Sequence, residues 1–185
     1  MLSMGCCETV YEPSDDSYLL LSAAKFARGE ILDMCAGTGI VGLNAASHAR
    51  HVLLVDNDDD AIMIITNNIT RNSIGNASVL KSDLFENLGG TRFDVIYANP
   101  PYLPENNGAN ENALVGGKVG YEMTCRIIRG LKAHLNEGGD AYIIVSSVYD
   151  VSKVYSEAAS SGLRYDIMEK KNFFFEDLIL LHLYG

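Results

Sequence analysis

A predicted strand followed by two prolines brings an amide, a fixed carbonyl and an aromatic ring together near the middle of the chain. The apolar run 95–98 is rich in β-forming residues and predicts a buried strand. The prolines behind it end that strand, because proline has no N–H for the ladder and restricts the residue before it. The Asn99 side-chain oxygen and the Pro100 carbonyl could each accept one N–H of a substrate amide, with Tyr102 packing on the planar group. We predict Asn99, Pro100 and Tyr102 as catalytic, and Asn99, Pro100, Pro101 and Tyr102 as the substrate-binding set.

Carboxylates stand at the ends of three other predicted strands. Asp33 lies near the end of the first strand, Asp56 ends the second and Asp83 ends the third. Asp56 could accept both hydroxyls of a ribose. Asp83 could accept from the exocyclic amine of a base, for which Leu84 offers an apolar face. Carboxylates in this arrangement suit a cationic ligand better than a dinucleotide with its pyrophosphate. The alternatives are that Asp56 and the acids after it cap a helix, and that Asp83 forms a turn.

A glycine turn follows the first predicted strand. Gly37, Gly39 and Gly42 match the spacing of the dinucleotide-binding fingerprint. Such a turn lets a ligand approach the backbone, and the helix start behind it aims amide groups at that ligand. Nicotinamide and adenosyl cofactors both fit this pattern. The alternative is a turn that only packs the strand on its helix.

Strands and helices alternate along the chain, which is the pattern of an α/β fold. Its 185 residues suffice for one domain, 1–185, with a sheet covered on both faces. Clustered polar residues predict a helix from about Ser14 to Gly29, within an N-terminal helix region 1–29, and Asp58 or Asp59 as the cap of a later helix. The polar stretch 103–120 is predicted to be a substrate-gripping loop. Predicted strands are 31–35, 51–56, 78–83, 95–98, 140–147, 163–168 and 177–184; further helices are 40–49, 61–71, 123–135 and 151–160.

The composition narrows the possible partners and compartments. With 24 acidic and 14 basic residues, the formal net charge of −10 opposes binding along a phosphate backbone and favours a cationic cofactor or a basic protein partner. No apolar run is long enough to span a bilayer, and the first residues lack the pattern of a secretory signal, so we expect a cytoplasmic protein. The four cysteines and four histidines lack zinc-site spacing, so we expect reduced thiols and no metal.

The combination of these features resembles a known family. Asp33 with the glycine turn, Asp56, Asp83 and then the Asn99 motif resemble class I methyltransferases that use S-adenosylmethionine. Within that class the chain is most similar to the HemK-like glutamine methyltransferases of class 1 translation release factors, in their archaeal and eukaryotic branch. Residues 10–20 are similar to the opening motif of that branch, and residues 116–120 to its substrate loop.

The resemblance implies a Rossmann-like fold: a mostly parallel, seven-stranded sheet with helices on both faces and an antiparallel last strand. It implies S-adenosylmethionine as cofactor, a glutamine side chain held at the Asn99 motif, and a class 1 release factor as substrate. It also implies a small zinc-binding activator subunit that covers an apolar edge. The family usually has glycine at the position of Cys35, and its substrate loop carries a tryptophan and an arginine where Asn112 and Tyr121 stand here. We predict Ser17, Asp33, Cys35, Gly37, Gly39, Asp56, Asp83, Leu84 and Asn99 as the cofactor-binding set.

Three other functions compete with this interpretation. A nucleic-acid methyltransferase could present an adenine or guanine amine to the same two acceptors, although the acidic charge argues against it. A cofactor-binding module without catalysis would not need the intact Asn99 motif. A dehydrogenase would need a histidine or lysine near the strand ends, and the sequence offers no candidate.

Overall fold

The computed structural model describes residues 2–6, 9–103 and 116–185, and it contains one seven-stranded sheet. The strands are β1 Glu30–Met34, β2 His51–Asp56, β3 Ala77–Lys81, β4 Phe93–Ala98, β5 Leu135–Ser146, β6 Arg164–Asn172 and β7 Asp177–Tyr184. Their order in the sheet is β3-β2-β1-β4-β5-β7-β6. The first five strands run parallel to one another, and β7 lies antiparallel between β5 and β6. The prediction of a mostly parallel sheet with an antiparallel last strand is therefore confirmed.

In the part of the chain that the structure describes, five α-helices cover the two faces of this sheet. They are α1 Asp15–Leu21, α2 Ile40–Ala45, α3 Asp59–Arg71, α4 Glu122–His134 and α5 Val151–Ser160. Alternate residues of each central strand point to opposite faces, so a strand such as β4 contributes to two apolar clusters. Val95 and Tyr97 pack with α1, α2 and α3, whereas Ile96 and Ala98 pack with α4 and α5. Helices therefore cover both faces of the sheet, as predicted.

The N-terminal helix is shorter than predicted. The α-helical part ends at Leu21, a 3₁₀ segment covers Ser22–Phe26, and Ala27 has extended backbone. The Ser22 hydroxyl donates to the Leu19 carbonyl at 2.7 Å, and a serine that bonds to the backbone in this way weakens the regular helical pattern. At the other end Ser14 is the N-cap residue, but its side chain makes no capping bond. In α3, by contrast, the Asp58 side chain caps the helix as predicted.

Two strands are longer than predicted. β5 starts at Leu135 rather than at 140, and β6 continues to Asn172 rather than ending at 168. Both extensions consist largely of polar residues and glycines, which an apolar pattern does not identify as strand. β6 also lies at the edge of the sheet, and almost all of its residues are exposed. Pairing with β7 nevertheless holds the polar end of β6 in extended form, with a bulge between Ile167 and Glu169. No helix among the described residues is long and apolar enough to cross a membrane.

Gly42 allows α2 to pack directly against β1. A side-chain carbon at this position would lie 2.8 Å from Asp33 Oδ2 and 3.1 Å from the Leu54 side chain. The backbone N–H of Gly42 also donates to Asp33 Oδ2 at 2.7 Å. The glycine therefore permits the contact that holds the Asp33 carboxylate.

We expect Gly42→Ala to lower the free energy of unfolding by about 1–3 kcal/mol, because the added methyl overpacks a buried site. Urea denaturation of the wild type and the variant measures this loss. Gly75→Ala is the matched control, since a carbon added there meets no atom within 4 Å and should change stability little. Equal stability of the two variants would contradict the packing role of Gly42.

Candidate active site

A cavity of about 430 Å³ opens at the carboxyl ends of the parallel strands, beside the glycine turn. Ligands of open α/β sheets bind at this edge, and the volume lies in the range of small-molecule sites. Its walls come from the N-terminal segment, the ends of β1, β2 and β4, the segment after β3 and the start of α4. The predicted residues that line it are Ser17, Asp33, Cys35, Gly37, Asp56, Asp83, Leu84, Asn99 and Pro101.

The glycine turn has the backbone that its sequence predicts. Gly37 and Gly39 both have positive φ angles, 55° and 79°, and Gly39 is the N-cap residue of α2. Cys35 also has a positive φ, 56°, which is a conformation that favours glycine. Burial, with the negative charges of the nearby aspartates, raises the pKa of the Cys35 thiol well above its usual range. Cys35 therefore lines the cavity as a neutral thiol.

Two carboxylates lie around this turn. Burial raises the pKa of Asp33 to about 7, and the nearby Asp56 adds to that effect against the lowering effect of the Gly42 hydrogen bond. Burial also raises the pKa of Asp56, although its oxygens accept from the N–H groups of Gly37 at 2.9 Å and Asp58 at 3.2 Å. A cation in the cavity would stabilise the ionised forms of both groups. These side chains could therefore hold the polar groups of a positively charged nucleoside ligand.

Asp83 lies two residues beyond the end of β3, in a loop rather than at the strand end that was predicted. One of its carboxylate oxygens accepts from the Arg126 guanidinium at 2.9 Å, which leaves the other oxygen for a ligand. Leu84 beside it is buried and has a positive φ of 51°. This unusual backbone directs an apolar side chain to the cavity wall next to a carboxylate.

Asn99 lies at the carboxyl end of β4 and lines the cavity. Its Oδ1 is buried and has no hydrogen-bond partner within the described part of the chain. A buried acceptor without a partner is costly, so its place in the cavity wall points to a donor supplied by a ligand. Pro100 is buried beside Asn99 but does not line the cavity.

Tyr102 lies behind the cavity wall, where it joins the N-terminal segment to the Asn99 motif. Its hydroxyl donates to Asp16 Oδ2 at 3.3 Å, and the Tyr11 hydroxyl donates to the same oxygen at 3.1 Å. The other oxygen of Asp16 accepts from the backbone N–H of Ser17. Burial and the Asp16 charge raise the pKa of Tyr11 to about 12 and raise that of Tyr102 further. Asp16 therefore ties together two segments that are 86 residues apart.

The described end of the predicted substrate loop supports the same motif. Gly116 and Gly120 pack so closely on Pro101 and Tyr102 that an added side-chain carbon would overlap their carbonyl oxygens. The Gly116 N–H also donates to the Leu103 carbonyl at 2.9 Å. The rest of that loop, residues 104–115 with Asn112, lies outside the described residues. Where it is described, the loop holds the backbone that follows Asn99 in place.

Most of the predicted set is brought together, and three members stand apart. Gly39, Pro100 and Tyr102 do not line the cavity. Sequence reasoning missed the contribution of Tyr11 and Thr38 to the wall, and the bridging role of Asp16. The excess of polar residues before α1 was a usable signal for Asp16, because a helix cap requires fewer. Among the residues that the structure describes, no three histidine, cysteine or acidic side chains form a group that could hold a metal ion.

Comparison with known proteins places the chain in a family. Residues 14–173 match the model of the methyltransferase small domain. A protein of Methanocaldococcus jannaschii, provisionally named a protein N5-glutamine methyltransferase, is 32% identical over 180 residues, which cover 94% of this chain and 90% of that protein. The ribosomal RNA small subunit methyltransferase C of Klebsiella pneumoniae is 31% identical over 143 residues, 76% of this chain but 38% of that protein.

A solved structure supports the fold. It is the Mtq2–Trm112 complex of E. cuniculi, described as responsible for methylation of the translation termination factor eRF1. The matched chain is 20% identical and superposes with a TM-score of 0.76. The match covers 95% of the present chain and 98% of that chain. The family model spans most of the chain, and the relative from M. jannaschii is matched along nearly its whole length. The chain therefore belongs to the methyltransferase small domain family and is an S-adenosylmethionine-dependent methyltransferase, as the sequence predicts.

Proposed function

We propose that the enzyme methylates the side-chain amide nitrogen of a glutamine in a protein. The observation that carries this proposal is the buried, unpartnered Oδ1 of Asn99 in the wall of the cavity. A primary amide has two N–H donors on one nitrogen. The Asn99 oxygen would accept one of them. The Pro100 carbonyl, next to Asn99 in the chain, would accept the other, although Pro100 does not line the cavity as it stands.

The two acceptors would help an amide nitrogen, which is a poor nucleophile because its lone pair is delocalised into the carbonyl. Both N–H groups would point at fixed oxygens, so the nitrogen would be oriented and its developing positive charge stabilised. No general base is required before transfer, and the proton that the nitrogen loses afterwards can pass to water. Tyr102 would act by holding the motif through Asp16 rather than by packing on the amide, since it stands behind the cavity wall.

S-adenosylmethionine supplies an electrophilic methyl group on a sulfonium, and the residues of the cavity fit this cation. Asp33 would compensate the charge of the ammonium group in its amino-acid part, Asp56 would accept from the ribose hydroxyls, and Asp83 with Leu84 would hold the adenine. The electrostatic support for this assignment is the raised pKa of both Asp33 and Asp56, because a bound cation would relieve the cost of burying the two carboxylates.

We further propose a class 1 translation release factor as the protein substrate and a small zinc-binding activator as a partner subunit. The description of the E. cuniculi complex supports a termination factor as substrate and a partner subunit, and the name of the M. jannaschii relative supports a glutamine as the methylated residue. The sheet also leaves β3 and β6 as open edges among the described strands, and an open edge is a surface that a partner can cover.

The alternative is methylation of an adenine or guanine amine in nucleic acid, and the relationship to an RNA methyltransferase supports it. An exocyclic amine would present the same two donors to Asn99 and Pro100. The net charge of −10 opposes this assignment, because an RNA substrate would need a basic surface. Activity on RNA should also fall steeply with added salt, whereas activity on a protein should fall much less.

The direct test is mass spectrometry of a class 1 release factor incubated with the enzyme and S-adenosylmethionine, with and without the activator. We expect one added methyl group, located on a glutamine by fragmentation of the modified peptide. Ribosomal RNA treated in parallel serves as the control substrate. A methyl group on RNA and none on the protein would contradict the proposal.

Asn99→Ala should lower the rate of methyl transfer by about a hundredfold or more, because one of the two acceptors that orient the nitrogen is lost. The affinity for S-adenosylmethionine should stay within a few-fold, since the carboxylates remain. Single-turnover transfer beside calorimetric cofactor titration separates these two effects. Asn67→Ala, on the exposed face of α3, is the matched control and should change neither. An unchanged transfer rate in Asn99→Ala would refute the role of Asn99.

Cofactor affinity should fall by about tenfold between pH 7.5 and pH 5.5. The raised pKa of Asp33, about 7 without ligand, makes this carboxyl neutral at the lower pH, whereas the cation binds best to its ionised form. Below pH 7 binding should therefore release a proton, which calorimetry in two buffers detects. Asp33→Asn should bind more weakly at pH 7.5 and lose most of the pH dependence. Asp56→Asn shows how much of the remaining dependence comes from Asp56. A wild-type affinity independent of pH would contradict this electrostatic role.

A further inference from the structure

Two phenylalanines stand almost free of the protein at the turn between β6 and β7. Phe174 is 92% exposed and Phe175 is 90% exposed. Their rings contact each other edge to face, with centroids 4.6 Å apart. The N–H of Phe173 donates to the carbonyl of Glu176 at 2.7 Å, so the two rings occupy the corner of a tight turn. Corners of this kind usually carry glycine, asparagine or aspartate, and nothing in the local backbone calls for two aromatic residues there.

The turn lies at the same edge of the sheet as the active site. β7 runs antiparallel to β5, so its first residues lie beside the carboxyl end of β5, where Leu178 pairs with Ser146. The Ser146 hydroxyl donates to the Glu176 carboxylate at 2.7 Å, which fixes the turn to that edge. The negative charge of Glu176 also contributes to the raised pKa of Tyr11 and Tyr102, the two tyrosines that bond to Asp16. The exposed rings therefore stand at the carboxyl edge of the sheet, the edge at which the cavity opens.

We propose that Phe174 and Phe175 form a docking element for the polypeptide that carries the methylated glutamine. This inference rests on the proposed function and adds a site of contact to it. A glutamine that reaches Asn99 brings its neighbouring residues across the carboxyl edge of the sheet, where the two rings stand. The occupant is an apolar segment of the protein substrate next to that glutamine, which would cover both rings.

The surroundings of the turn favour a protein over a nucleic acid. Glu176 and Asp177 follow the rings directly, and of the two lysines that precede the rings, Lys170 and Lys171, the first is paired with Asp177 at 2.7 Å. Carboxylates beside the rings would repel the phosphates of a strand whose bases stacked on them. An apolar peptide segment meets no such repulsion.

Photo-crosslinking tests the contact independently of catalysis. Phe175→p-benzoylphenylalanine, in the complete enzyme with its activator, should crosslink to a class 1 release factor on irradiation, and the same replacement at Ile167 should not. Ile167 is the matched control because it is 52% exposed on the same hairpin but lies along β6, away from the turn. A crosslink to the activator or to RNA, or none to the release factor, would overturn the proposal.

Steady-state kinetics tests how much the same contact contributes to binding of the protein substrate. Phe174→Ala combined with Phe175→Ala should raise the KM for the release factor by about tenfold and leave kcat and the cofactor affinity within twofold, because only substrate docking is lost. Ile167→Ala should change none of these values. An unchanged KM, or a loss confined to kcat, would overturn the docking role. A crosslink to the release factor without any methyl transfer by the wild type would instead contradict the proposed reaction and leave the docking element standing.

Discussion

The fixed backbone after β4 is the constraint on which the site depends. Two prolines end the strand, and Gly116 and Gly120 of the following loop pack against the carbonyl oxygens of Pro101 and Tyr102. Residues 99–102 therefore have little freedom to move. Asn99 can therefore keep an unpartnered buried oxygen in the cavity wall without turning it toward a protein donor. Such an acceptor is costly in the empty enzyme. Its retention makes sense where a ligand donor replaces the missing partner.

The parallel sheet decides what surrounds that oxygen. Neighbouring parallel strands end at one edge, so residues far apart in the chain, such as Asp33, Asp56 and Asn99, come to share one cavity. Burial raises the pKa of the first two, which are carboxylates, and a bound cation would favour their ionised forms. Part of the acidic balance of the chain thus lies in the wall of the cavity. Close packing supports this arrangement at Gly42, because only a glycine there lets α2 approach β1 closely enough for its backbone N–H to bond to the Asp33 carboxylate.

Elements outside the sheet core complete the site and form its surroundings. The Asp16 carboxylate accepts hydrogen bonds from Tyr11 in the N-terminal segment and from Tyr102 in the Asn99 motif. This part of the wall therefore forms only when both segments are folded. On the other side of the same edge, the turn between β6 and β7 holds two exposed aromatic rings through the bond between Ser146 and Glu176. One edge of the sheet thus combines a closed pocket with an open surface.

The sequence by itself determined the fold class, the succession of strands and helices along the chain and most of the residues at the strand ends, because the 2-residue and 3.6-residue periods and the proline and glycine positions act locally. It also identified nine of the residues that line the cavity, from Ser17 to Pro101. Only the tertiary structure decided the bridging by Asp16, the position of Tyr102 behind the wall and the pairing of Arg126 with Asp83. The full length of β6 and the exposure of the rings at its turn were also invisible in the sequence. Those features arise from contacts between segments distant in the chain, and local pattern carries no information about which segments meet.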